Sequence, residues 1–73
     1  MDSYEKLANA IILQAVKDYR DALKKLARAR KNTSAEDTKR ECERFFRSQW
    51  YSALTSVDGE MLIRKLNEEV TDL

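Results

Sequence analysis

The chain has 73 residues, of which 42% are apolar and 37% charged, with one glycine and no proline. That length holds one domain near the lower limit for a single core, and the wealth of Ala, Leu, Glu, Lys and Arg excludes a turn-rich β protein. The formal charge of +1 excludes an overall bias toward nucleic acid, although residues 1–32 carry 8 basic and 4 acidic side chains and residues 33–73 carry 6 and 9, so a net +4 is followed by −3.

The first predicted helix runs from about residue 3 to residue 31. Asp2 and Glu5 have capping-box spacing, and both charges suit the positive end of a helix. Tyr4, Leu7, Ala8, Ile11, Ala15, Tyr19, Ala22, Leu23 and Leu26 recur every three or four residues. Ile12, Val16 and Ala27 widen this stripe to about half the circumference, which implies two neighbours rather than one. At ~1.5 Å per residue this helix is about 42 Å long and is expected to overhang its partners. The overhang could pair with a second copy, and the broad stripe motivates one structural reading, an obligate homodimer. Asn32 is read as the stop.

Thr33 with Glu36, or Ser34 with Asp37, offers a second capping box, and a helix over 34–54 follows. Its apolar seam is Ala35, Thr38, Cys42, Phe45, Phe46, Gln49 and Ala53, with Trp50 on the flank. Asp58 then caps a third helix over 59–70, with Val57 and Leu62 at hydrophobic-staple positions and Met61 or Leu62, Ile63, Leu66 and Val70 on its apolar side. Glu68, Glu69 and Asp72 crowd the negative end of that helix, so its last turn is expected to fray. The fold class that results is all-α, a three-helix domain in which a long antiparallel helical hairpin packs against a shorter third helix.

The residue types argue against catalysis. There is no histidine, which removes the commonest general base and metal ligand. Cys42, the lone cysteine, lies within the apolar seam and reads as a small hydrophobe, and Gly59 eases a helix start rather than cradling phosphate. No cofactor or metal is called for. No apolar run approaches the roughly 20 residues that span a bilayer, and the acidic start lacks the pattern of a signal peptide, so a cytoplasmic setting without membrane attachment is expected.

Two exposed constellations remain as binding candidates. Lys17, Arg20, Lys24, Arg28 and Lys31 form a basic ridge opposite the apolar stripe of the first helix, able to meet an acidic protein surface or to track phosphates. Arg40, Arg44, Arg47 and Tyr51 recur along the outer side of the second helix, the residue types that protein interfaces favour. The plainer alternative for this row has Tyr51 beneath the third helix and the arginines paired with Glu36, Glu41 or Glu43. The row is preferred to the ridge as the working face.

The run Phe45-Phe46-Arg47-Ser48-Gln49-Trp50, continued by Leu54-Thr55, Asp58-Gly59-Glu60 and Leu62-Ile63-Arg64-Lys65-Leu66, with Ala15-Val16-Lys17-Asp18-Tyr19-Arg20 upstream, resembles a group of small helical proteins encoded by phages and mobile elements of Gram-positive bacteria. The resemblance covers about residues 8–66 and transfers no functional residue. It implies a short accessory gene acting in the bacterial host cytoplasm, where such proteins occupy host macromolecules such as restriction, CRISPR or other defence machinery. The expected function is therefore a non-enzymatic inhibitor or modulator of a host protein complex. A nucleic-acid-binding accessory protein and a homo-oligomeric structural component are the alternatives.

Overall fold

The computed structural model describes residues 3–71, and these form helices without any strand. Helix α1 spans Ser3–Arg28, α2 Thr33–Phe46, α3 Gln49–Leu54 and α4 Gly59–Thr71. The hairpin with a shorter packed helix is as expected, but the second expected helix is two helices. The capping role of Asp2 and the contribution of Asp72 lie outside the described residues.

Helix α1 sets the long axis. Its 26 residues correspond to about 39 Å of helix, close to the 41 Å longest dimension of the molecule. The radius of gyration of 12.9 Å exceeds the roughly 11 Å of a compact chain of this length, because one helix runs the whole way. α2 and α3 return antiparallel beside α1, and α4 then runs parallel to it. Little of α1 overhangs: Ala8 is 2% exposed, and the Tyr4 hydroxyl donates to the Ala53 carbonyl at 3.4 Å.

The first connection, residues 29–32, is longer than expected. α1 ends at Arg28 rather than residue 31, and Asn32 starts the next helix instead of stopping the first. Its Oδ1 accepts from the Ala35 amide at 3.0 Å, satisfying one of the free N–H groups of α2's first turn. Asp58 caps α4 as read from sequence, accepting from the Glu60 amide at 2.9 Å.

The break between α2 and α3 has a local cause. Ser48 Oγ donates to the Phe45 carbonyl at 2.6 Å and accepts from the Tyr51 amide at 3.1 Å. The side chain thus offers the backbone partners that a continuous helix would have supplied itself. Gln49 and Ala53, expected on the buried seam, are exposed as a result.

The core is built from Val16, Tyr19, Leu23, Cys42, Phe46, Tyr51, Ile63 and Leu66. Phe46 stands edge-on to both Tyr19 and Tyr51, with ring centroids 5.7 Å apart in each pair. Such pairs add about 0.5–1.5 kcal/mol each beyond the area they bury.

Gly59 is the tightest joint. A Cβ there would lie 2.0 Å from the Phe46 carbonyl oxygen, so the first turn of α4 sits directly on the last turn of α2. The φ of Gly59 is not positive; what the position requires is space. Helix propensity alone favours alanine over glycine by about 1 kcal/mol. Gly59→Ala is expected to do the opposite and destabilise by about 2–3 kcal/mol, because backbone on both sides must move. The melting temperature followed by circular dichroism should fall by about 10 °C or more; an increase would show that the joint yields freely.

Candidate functional site

The structure separates the residues of the expected arginine–tyrosine row. Tyr51 is 2% exposed, a correction to its placement on the outer face. Along an unbroken helix it would point away from Cys42, but the Ser48 break re-aims it into the core against Phe45 and Phe46. Arg47 turns toward α4, where its Nε donates to Glu60 and its charge also lies 3.9 Å from Glu43. Arg40 and Arg44 stay exposed on α2. Two of the four residues of the row are thus committed to the fold.

The basic ridge is shortened as well. Arg20 is held by both carboxylate oxygens of Glu69, at 2.9 and 3.0 Å. Lys31 lies beyond the end of α1, in the turn before Asn32, and so is off the helix face to which it was assigned. Lys17, Lys24 and Arg28 remain on the ridge, exposed and outside every salt bridge among the described residues.

A polar network ties the three long helices together on the α4 side. The buried Tyr19 hydroxyl donates to Glu43 Oε2 at 2.6 Å and accepts from Asn67 Nδ2 at 2.9 Å. Lys39 adds a 2.9 Å contact to the same carboxylate oxygen. Burial by itself would raise the Glu43 pKa, but the hydrogen bonds from Tyr19 and Lys39, with the charges of Lys39 and Arg47, outweigh it and leave the carboxyl below its ordinary value. Burial, then the Glu43 bond, drives the Tyr19 phenol far above its usual range, so it is a permanent donor.

The open surface with binding character is on the opposite side, between α1 and the α2–α3 pair. Ala10, Ile11 and Ala15 of α1, Cys42 and Phe45 of α2 and Trp50 of α3 line a groove of about 530 Å³. Trp50 is 58% exposed at its edge, braced edge-on against Phe45 with centroids 5.3 Å apart. Leu7, 61% exposed, extends the apolar strip one turn beyond Ile11. Cys42 forms part of the floor, and burial followed by the nearby Asp18, Glu41 and Glu43 charges raises its thiol pKa, which disfavours the reactive thiolate. Among the described residues no group of three or more His, Cys, Asp or Glu side chains is placed to hold a metal ion, and no helix is long and apolar enough to cross a membrane.

Sequence reasoning missed this groove. Its signals were present: small residues (Ala15, Cys42) on a seam that otherwise carries Tyr and Phe, and a tryptophan on the flank of that seam. No family model, curated protein or solved structure matches the chain.

The depressed Glu43 pKa fixes the sign of a pH effect. A carboxylate that ionises more readily folded than unfolded stabilises the fold above its unfolded pKa, and that contribution is lost as pH falls through the folded value. The melting-temperature gap between wild type and Glu43→Gln should therefore be open at about pH 7 and narrow toward about pH 3. Tyr19→Phe should cost about 1.5–3 kcal/mol at neutral pH, since it removes a hydrogen bond to a charged group. A gap that stays constant with pH would place the effect of Glu43 in packing rather than charge.

Proposed function

We propose that this chain is a small, non-enzymatic, phage-type accessory protein that binds a host protein complex in the bacterial cytoplasm and inhibits or modulates it, a defence nuclease of the CRISPR kind being one such target. The observation that carries the binding reading is the groove edged by Trp50. A small domain has little apolar surface to spare, yet this one leaves a tryptophan and a leucine mostly in water around an apolar cleft. Exposed aromatic side chains that become buried on binding dominate the energetics of protein interfaces. The resemblance to small phage-encoded proteins supports the setting and the choice of a host target. The working face is accordingly moved from the arginine–tyrosine row to the groove.

The test compares tagged wild type, Trp50→Ala and Arg40→Ala/Arg44→Ala chains for recovery of a stoichiometric partner from a Gram-positive host. Trp50→Ala should weaken binding of that partner by about thirtyfold or more, as expected for an interface anchor, while helicity is unchanged. Loss with the double arginine variant and retention with Trp50→Ala would return the working face to the outer side of α2.

A second reading, binding of nucleic acid, is favoured by the exposed charges of Lys17, Lys24 and Arg28 on one ridge, which stand outside the salt bridges among the described residues. Three phosphate contacts give affinity for duplex DNA that falls with salt at a logarithmic slope of about −2.7. A gel-shift or anisotropy titration at low salt checks this, and absence of binding there removes it.

A further inference from the structure

We propose that the groove takes a helical segment of a protein partner that is apolar at one end and basic at the other, laid lengthwise between α1 and α2. This rests on the groove being the working face and goes on to specify the chemistry of its occupant. The apolar cleft beside Trp50 does not end at Phe45. Asp18 and Glu41 line it and also line a second cleft of about 420 Å³, so the two clefts adjoin at this pair of carboxylates. The far half is polar and carries Asp21 and Lys25 besides those two carboxylates. Three carboxylates thus face one ammonium group.

Among the described residues none of the three carboxylates is in a salt bridge, and the hydrogen bond to Asp18 comes from the neutral Gln14 amide at 2.9 Å. Charges left unmatched beside an apolar cleft favour an occupant that brings cations to that end and hydrocarbon to the other. Phosphate backbones are disfavoured by the same carboxylates. A second copy docked groove on groove about a two-fold axis would set its carboxylates against apolar side chains or against their own like charges.

The occupant must also satisfy its own backbone. The groove walls are helices whose amides and carbonyls are already paired, so they offer no edge to an extended strand, whereas a helix arrives with its hydrogen bonds made. From Ala10 to Lys25 the groove follows α1 for about 23 Å, the length of a helix of about 15 residues. Such a segment would place large apolar residues at i, i+3 and i+4 beside Trp50 and Lys or Arg two turns further on.

The probe is a synthetic helical peptide of about 16 residues with leucines in its first two turns and lysines in its last two, compared with a version carrying glutamates in place of the lysines. Both are titrated into the full chain, with amide and Trp50 indole shifts recorded by NMR. The lysine peptide should bind, perturb Ala15, Asp18, Glu41 and Trp50, and weaken as salt is raised. Asp18→Asn/Glu41→Gln should reduce its affinity about tenfold, and Asp18→Lys/Glu41→Lys more, with unchanged melting behaviour as the control. Equal binding of the two peptides, shifts confined to another face, or no binding of the lysine peptide at millimolar concentration overturns the proposal. Self-association of the free chain through these same residues assigns the groove to a second copy and also overturns it. If the peptide fails but Trp50→Ala still abolishes partner recovery, the groove remains the working face and the assignment of a basic occupant alone is lost.

Discussion

Much of the architecture depends on one hydroxyl. Ser48 Oγ bridges the Phe45 carbonyl and the Tyr51 amide, and so ends one helix and begins the next within two residues. Were the helix continuous, Tyr51 would face solvent and Trp50 would lie nearer the seam. With the break, Tyr51 enters the core, while Trp50 is left at the mouth of the groove, braced on Phe45. The same turn redirects the chain so that Thr55–Asp58 can bring Gly59 down onto the Phe46 carbonyl. Core, groove and the docking of α4 thus share a common hinge.

The two sides of the helical hairpin are stabilised by different physics. Toward α4 the seam is filled with large side chains, Tyr19, Phe46, Ile63 and Leu66, and sealed by the Tyr19–Glu43–Asn67 hydrogen bonds. Burying a large apolar side chain contributes about 1.5–3 kcal/mol, so this side holds most of the apolar driving force. On the other side the seam is made of Ala15, Ala22, Ala35 and Cys42, which let α1 and α2 approach but leave little bulk above them. A cleft is the geometric consequence of small residues on one side of an otherwise bulky interface. A marginal domain can leave that cleft open only because the opposite side is closed so thoroughly.

Periodicity made the helices legible, and it did so where residues act independently. The stripe Ala8, Val16, Tyr19, Leu23 follows from helical spacing alone, and Asp58 caps as its position before Gly59 implies. What periodicity could not show was a side chain competing with the backbone: Ser48 has no sequence mark that separates a helix break from an ordinary helical serine. Tyr51 was misplaced for that reason, and Gln49 and Ala53 with it. The arginine row and the lysine ridge failed as complete sets for another reason, since Arg20 and Arg47 find partners 49 and 13 residues away that no helical wheel contains. The groove needed two helices to be placed side by side before its acidic and apolar halves could be seen to join.

The polarity of the sequence does not survive as polarity in space: the acidic end of the groove takes Asp18 and Asp21 from the basic half and Glu41 from the acidic half. The Arg20–Glu69 pair joins the basic first half to the acidic second half between α1 and α4, while Arg47–Glu60 ties the end of α2 to α4 within the second half. Lys39 is likewise drawn to Glu43, on the side where Tyr19 and Asn67 close the network. Arg20, Lys39 and Arg47 line neither half of the α1–α2 groove. Lys25 is left facing Asp18, Asp21 and Glu41. In an exposed cleft such charges keep their water while the cleft is empty, so the imbalance costs the free protein little. A partner that covers the apolar half would strip that water, and only matching cations would then compensate the carboxylates. In the proposed complex the groove selects its occupant twice, by hydrocarbon beside Trp50 and by positive charge beside the carboxylates.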